Sequence, residues 1–159
     1  MSTQYWARLD SPIGPLTVSV DQHGALVAID LGGAPGTGPE QPARCREPLC
    51  QLGEYFRGQR QNFDLPLNLT GSEFQRQVWQ ALEKIPFGDS MSYGELARAV
   101  GRPRAARAVG QANGANPIPI VVPCHRVVAG DGGMGGFSGG LEVKRWLLTH
   151  EGAITRDLI

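Results

Sequence analysis

Three prolines, at 117, 119 and 123, punctuate the run Asn116-Pro117-Ile118-Pro119-Ile120-Val121-Val122-Pro123-Cys124-His125-Arg126-Val127 and leave its backbone few choices. Each lacks an amide donor and pushes the residue before it toward extended geometry, so no helix forms there. The apolar residues between them read as a buried extended segment with Cys124 at its end. A short, rigid backbone of this kind can aim one sulfur into a cleft, and the imidazole of His125 follows directly. That is how an enzyme presents a nucleophile. Taken alone, the pair also fits a packed thiol beside a capping histidine.

The rest of the chain organises around that segment. Ser11-Pro12-Ile13-Gly14 leads to a strand, Leu16 to Val20, and Asp21-Gln22-His23-Gly24 leads to another, Ala25 to Leu31. There Val27, Ile29 and Leu31 alternate as a half-buried strand requires. Residues 32–42 hold four glycines and three prolines and read as a flexible surface loop. Leu49, Leu52 and Phe56 mark a helix, Asn62 to Leu65 an edge strand, and Pro66 to Gly71 a linker.

Beyond it, Ser72 and Gln75 stand in capping-box spacing ahead of Phe74, Val78, Leu82 and Ile85 on one helical face, and Pro86-Phe87-Gly88 stops that helix. Ser92 and Glu95 form a second capping box and start a helix to about Val100. After Gly101 a further helix runs from Pro103 to about Asn113, and the pair reads as a helix-turn-helix. Seven glycines among residues 130–140 let backbone approach a ligand, with Phe137 and Ser138 as pocket wall. A last helix spans Leu141 to His150 with Val143, Trp146 and Leu147 inward.

Net charge is zero, which argues against a nucleic-acid partner until its distribution is considered. Between Glu95 and Asp131 there is no acid, whereas Arg98, Arg102, Arg104, Arg107 and Arg126 all fall there. With 159 residues, 41% of them hydrophobic, and no long apolar run, the expectation is a soluble globular protein. The N-terminus has no signal-peptide pattern, and three cysteines without a framework fit a reducing cytoplasm. Cys45 and Cys50 lack a second ligand pair of matching spacing and His23 is isolated, so neither a metal nor another cofactor is expected.

The string from Asn116 to Val127, followed by Gly136-Phe137-Ser138-Gly139-Gly140-Leu141 and Lys144-Arg145-Trp146-Leu147-Leu148, resembles the O6-alkylguanine-DNA alkyltransferase family, the methylated-DNA:protein-cysteine methyltransferases. The resemblance runs from about Phe74 to Glu151 and continues weakly upstream, where Asp10-Ser11-Pro12-Ile13-Gly14 is similar to a common family opening. It implies an α/β (α+β) fold with two domains. Residues 1–70 would be a small ribonuclease H-like mixed domain; residues 71–159 would be a mainly helical helix-turn-helix (winged-helix-like) domain for DNA binding and alkyl transfer.

The activity implied is irreversible, stoichiometric transfer of an alkyl group from O6-alkylguanine in DNA to Cys124, with O4-alkylthymine a further candidate substrate. The resemblance assigns His125 as base, Glu151 as the carboxylate holding its imidazole, Asn116 as support of the turn, and Tyr93 as proton donor to the departing purine. Arg107 would enter the duplex in place of a flipped nucleotide, and Ser92, Arg104, Ala106, Ala108 and Arg126 complete the DNA-binding set. Val127, Met134, Gly135, Phe137 and Ser138 would line the pocket. Phe137 stands where the family usually has tyrosine, and Gly135 suggests room for alkyl groups larger than methyl. The implied partner is double-stranded DNA, read through the minor groove by a cytoplasmic monomer with no membrane contact.

Other classes remain open. A lesion-binding protein of the alkyltransferase-like kind lacks the cysteine present here. A thiol hydrolase using Cys124 and His125 predicts turnover through an acyl-enzyme. A transcriptional regulator would need an added domain that 159 residues do not hold.

Overall fold

A computed structural model describes residues 3–130 and 133–153. Residues 131 and 132, within the glycine-rich loop, and the C-terminal stretch 154–159 of the expected second domain lie outside the described residues. The chain divides into two compact units, Met1–Thr70 with Pro117–Pro119, and Gly71–Asn116 with Ile120–Ile159. The fold is mixed α+β, with a small sheet in the first unit and helices dominating the second. Among the described residues no helix is long and apolar enough to cross a membrane.

In the first unit β1 (Gln4–Leu9), β2 (Leu16–Asp21) and β3 (Leu26–Asp30) form an antiparallel sheet in the order β1-β2-β3. β1 escaped the sequence reading, because its burial does not alternate. β2 is central and buried along its whole length. The alternation of Val27, Ile29 and Leu31 does not survive. Val20 pairs with Leu26 and Ser19 with Ala28, so Val27 is an extra residue in a bulge, and Leu26 and Ile29 are the buried pair. Asp21 fixes the hairpin, its carboxylate accepting from the amides of His23 (2.8 Å) and Ala25 (3.0 Å).

The glycine- and proline-rich segment is not a free loop. It runs beside β1, with the Trp6 indole donating to the Gly38 carbonyl (2.9 Å), the Trp6 carbonyl accepting from Gln41 (2.8 Å), and the Thr17 hydroxyl donating to Ala34 (2.6 Å). Its glycines are there for close approach. Gly38 has φ +83° and faces the Gln4 carbonyl so closely that a Cβ would collide with backbone. Gly38→Ala is therefore expected to cost about 2–4 kcal/mol, read as a drop in the midpoint of thermal unfolding. An unchanged midpoint would restore the picture of a flexible loop.

Helix α1 (Arg46–Phe56) buries Pro48, Gln51, Leu52 and Tyr55, so its inward face is turned by about one residue from that expected. The edge strand at Asn62 to Leu65 is absent, since the Gln51 side chain does a strand's work: its amide donates to the Asp64 carbonyl (3.0 Å) and accepts from the Asp64 amide (2.9 Å). The start of the expected linker is pinned too. Pro66 accepts from Leu26 and Asn68 donates back to it, both at 2.8 Å.

The second unit begins with α2 (Glu73–Leu82), whose capping box by Ser72 and Gln75 is fully formed. β4 (Met91–Ser92) leads into α3 (Tyr93–Ala99), capped by Ser92 and Glu95 in the same way. Gly101, at φ +76°, closes α3 in a Schellman arrangement, its amide bonded to Arg98 and that of Arg102 to Ala97. Helix α4 (Ala106–Gly114) starts later than expected, and Pro103 lies in the turn. Both α2 and α3 pack on α4, and the buried indole of Trp79 donates to the Ala112 carbonyl (2.9 Å). Helix α5 (Leu141–His150) turns Lys144, Leu147 and Leu148 inward, while Val143 and Trp146 are only half-buried.

Candidate active site

The segment before the cysteine is buried, but it is a turn rather than a strand. Ile120 has φ +76°, the only positive value on a non-glycine among the described residues. A β-branched residue held there stores strain of roughly 1–3 kcal/mol. Cys124 then opens a single 3-10 turn, Cys124–Arg126. Two side chains near the end of α4 grip this turn. Asn116 donates from Nδ2 to the Val122 carbonyl (2.7 Å), which also accepts the Cys124 amide (2.8 Å), and Asn113 donates more weakly to the Cys124 carbonyl (3.4 Å).

The strand β5 (Val127–Val128) follows at once and pairs in parallel with β4, Met91 opposite Val127 and Ser92 opposite Val128. Since α3 begins right after β4, this pairing sets Tyr93 near the cysteine. Cys124, Tyr93, Asn113, Phe137 and Ser138 line one cavity of about 280 Å³, together with Gly110, Gly114 and Gly136, where no side chain intrudes.

Behind the sulfur sits a buried ionic cluster. His125, fully buried, shares a 2.8 Å hydrogen bond between Nε2 and Glu151 Oε2. An ionised carboxylate only accepts, so Nε2 carries the proton and Nδ1 keeps its lone pair. Burial pulls the imidazole below its ordinary pKa, against the pull of Glu151, so it is neutral near pH 7. Burial alone would raise Glu151, but hydrogen bonds from His125 and Arg126 hold its carboxyl down at about 2. Arg126 reaches both carboxylate oxygens (2.8 and 3.0 Å) and donates to the Ile85 carbonyl (2.6 Å).

That contact corrects the DNA-binding set. Arg126 is 5% exposed, its charge is neutralised by Glu151, and its face is turned inward. The exposed cations of the basic window are Arg98, Arg102, Arg104 and Arg107. Arg107 and Ala108 lie exposed on α4, Ala106 is half-buried just before Arg107, and Ser92 is half-buried with its hydroxyl oxygen occupied as the α3 cap.

Three pocket residues also differ from expectation. Val127 has no exposed surface and its carbonyl accepts from Lys144 Nζ (2.6 Å). Met134 is half-buried in the loop but does not line the cavity. Gly135, at φ +71°, is not part of the lining either: a Cβ there would lie 2.9 Å from the Tyr93 ring, so the missing side chain lets that ring close on the loop.

Two residues of the site were missed. Asn113 reads in sequence as ordinary helix. Lys144 has no role of its own in the sequence reading, yet it is fully buried on α5 and donates to the carbonyls of Val127 and Gly136 (3.0 Å). Burial draws its ammonium down to about 8, while Cys124 pulls the other way. The Cys124 thiol is raised by burial, opposed by the Asn116 hydrogen bond and the Lys144 charge. Tyr93 is also raised by burial; its hydroxyl leans toward the Gly136 carbonyl at 3.5 Å. No run or spacing signals a buried lysine whose partners are two carbonyls.

A buried thiol beside a neutral, carboxylate-held imidazole, opening on a small cavity with a protonated phenol across it, suits transfer of a carbon group to sulfur. Comparison with known proteins agrees. Residues 73–153 match the family described as 6-O-methylguanine DNA methyltransferase, DNA binding domain, and residues 4–69 its ribonuclease-like domain. Among curated proteins, the methylated-DNA–protein-cysteine methyltransferase of Mycolicibacterium paratuberculosis is 50% identical over 90% of this chain and 89% of its own. That of Methanosarcina acetivorans is 42% identical over 94% and 99%. Among solved structures, Mycobacterium tuberculosis OGT in complex with DNA superimposes with a TM-score of 0.87 at 42% identity, covering 97% of both chains. By these matches over nearly its whole length, the chain belongs to the 6-O-methylguanine DNA methyltransferase family.

Proposed function

We propose that Cys124 is the acceptor of the alkyl group and that the residues around it divide the proton chemistry. The chain, as a member of its family, performs direct-reversal DNA repair, moving an alkyl group from O6-alkylguanine to one of its own cysteines. The observation that carries the assignment to Cys124 is its position on the cavity with His125 and Glu151 behind it.

The proton of the Cys124 thiol passes toward His125 Nδ1, and the imidazolium so formed is stabilised by Glu151. The thiolate attacks the alkyl carbon, the bond from that carbon to O6 breaks, and the electron pair goes to the purine. Tyr93, held protonated by burial, supplies a proton to the leaving base. A thioether is a poor leaving group, so each molecule reacts once. Asn116 holds the turn, Phe137 stacks on the base, and the Ser138 backbone amide faces O6.

DNA is the substrate carrier. Arg107 on α4, exposed among small residues, suits a helix laid into the minor groove, where the alkylated nucleotide rotates out of the stack and the guanidinium replaces it. Arg98, Arg102 and Arg104 supply phosphate contacts, with Ser92, Ala106 and Ala108 at the same surface. Residues 71–159 carry both binding and transfer in this reading, residues 1–70 form the companion domain, and the protein acts as a cytoplasmic monomer.

The deciding experiment is intact-mass analysis after mixing with an O6-methylguanine duplex, with the site located by peptide mapping. Gain of one methyl equivalent on Cys124, with no second turnover, is expected; gain elsewhere, or turnover, overturns the assignment. Arg107→Ala is expected to slow repair of duplex DNA about tenfold or more while changing the reaction with free O6-benzylguanine less than about threefold, because a free base needs no flipping. Equal loss in both rates would give Arg107 a purely structural role.

A further inference from the structure

Arg102 stands at the joint between α3 and α4, and its backbone is held from three sides. Its amide closes the end of α3 on the Ala97 carbonyl (2.8 Å), its carbonyl accepts from the Ala105 amide (2.9 Å), and Pro103 restricts it from the next position. An arginine on so fixed a root still has several rotatable bonds, and ordering them on contact with a partner costs entropy.

Here much of that ordering is already done. The Arg102 guanidinium lies over the ring of Phe74, 5.3 Å from its centroid, at the first turn of α2. Of the exposed arginines in the basic window, Arg102 is the one placed over a ring among the described residues. A guanidinium held this way engages the π face through its charge and keeps the N–H groups at its edge available. None of them meets an acceptor: among the described residues Arg102 makes no side-chain hydrogen bond and no ion pair. Arg126 shows the contrast, since it also lies over a phenylalanine ring, that of Phe87, yet commits its donors to Glu151 and the Ile85 carbonyl. Phe74 shares a helix with the buried Val78 and Leu82 but is itself only half-buried, with the cation as its cover.

A planar cation with free donors, on an exposed turn just ahead of α4, suits a phosphodiester, whose oxygens a guanidinium takes in bidentate fashion. We propose that Phe74 is a positioning residue for DNA: its ring holds the Arg102 guanidinium pre-set to take a backbone phosphate of the duplex. This rests on the reading of the α4 face as the DNA surface, and it adds a residue that touches no nucleotide and acts through another.

The test uses full-length protein and an unmodified duplex, so that no transfer interferes, with the dissociation constant measured from low to high salt. Wild type, Phe74→Leu, Arg102→Ala and the double variant are compared. Arg102→Ala is expected to weaken binding about fivefold and to reduce the slope of log affinity against log salt by about one. Phe74→Leu should weaken binding about threefold, and the double variant should bind within about twofold of Arg102→Ala, because the ring acts only through the guanidinium. Phe74→Tyr, which keeps an aromatic face, should stay within about twofold of wild type. Reaction with free O6-benzylguanine needs no duplex and should change less than about twofold in every variant. If Phe74→Leu fails to fold, Phe74→Met replaces it with the same expected result.

Additive losses in the double variant overturn the inference, since the ring would then act through the packing of α2, and so does equal loss in Phe74→Leu and Phe74→Tyr. Arg102→Ala with wild-type affinity and salt slope overturns it too, leaving the pair as a packing contact only. Wild-type affinity that does not fall with salt is a separate result, visible before any variant is made, and it overturns the reading of the basic face itself.

Discussion

Cys124→Ala is expected to lose alkyl transfer by about 10⁴-fold or more while its affinity for an O6-methylguanine duplex stays within about threefold of wild type. The sulfur is the proposed acceptor, and no other side chain on the cavity can replace it: Tyr93 is a phenol kept protonated by burial, and Ser138 a hydroxyl far less nucleophilic than a thiolate. The residues proposed to face DNA are untouched, since Arg107 and Ala108 sit on the exposed side of α4. The fold should also hold, because the change removes one atom from a turn gripped through backbone carbonyls by Asn113 and Asn116. Intact mass and a binding titration on the same preparation check both halves. Methyl still arriving on the Ala variant would point to Cys50, which is exposed, rather than Cys45, which is buried against the Val18 carbonyl.

Glu151 should show the largest effect on stability. Its carboxylate receives three hydrogen bonds from His125 and Arg126, and its removal leaves Arg126 buried with an uncompensated charge. Breaking such a buried pair costs roughly 3–5 kcal/mol, so Glu151→Ala is expected to unfold at much lower urea concentration. Glu151→Gln keeps the shape but loses the charge. It should slow transfer about 100-fold or more, because the amide no longer fixes the His125 tautomer or stabilises its protonated form.

The pH dependence has a definite sign. The folded-state pKa of Glu151, about 2, lies below its ordinary 4.5, so the unfolded chain binds the proton more readily. The stabilisation is present in full above about pH 4.5 and is lost as pH falls toward 2, a difference of about 3 kcal/mol. His125 acts in the same direction from a higher starting point, since its lowered pKa means that stability falls once pH drops below its ordinary 6.5. Urea unfolding from pH 7 to pH 2.5 should show wild type losing stability throughout, and Glu151→Gln starting lower and falling less at the acid end. Parallel curves would mean that Glu151 is not the paired, ionised group described here.

What could be read from sequence was whatever depends on neighbours along the chain. The capping boxes at Ser72–Gln75 and Ser92–Glu95 formed as their spacing dictates, because a cap is closed by residues three apart. Helix α5 has the expected bounds, and the proline-punctuated run excluded a helix before Cys124. The match of the Cys124 to Val127 string to a known family was likewise in the letters themselves. Where the reading failed, the deciding contact came from far away in sequence. Residues 32–42 looked flexible because glycine and proline have no local preference for order; the Trp6 and Thr17 side chains order them. Val27 was taken as inward because period-two alternation knows nothing of a bulge set by the pairing of β2 with β3.

The site follows the same division. The sequence named Cys124, His125, Tyr93 and Glu151 as candidates, and the fold sets Cys124 and Tyr93 on one cavity and His125 against Glu151, but a sequence cannot say which charges are buried. Arg126 counted as one more cation of a basic window until Glu151, 25 residues away, was found to neutralise it. Lys144 had no assigned role until α5 turned it toward the carbonyls of Val127 and Gly136. Burial and partner choice are properties of the packed chain, because the desolvation that shifts a pKa and the carbonyl that satisfies an ammonium exist only once distant segments meet. The sequence by itself named the candidate reacting groups and the caps that start α2 and α3, and the tertiary structure alone decided which charges of the basic window are exposed and which are buried against the Cys124 turn.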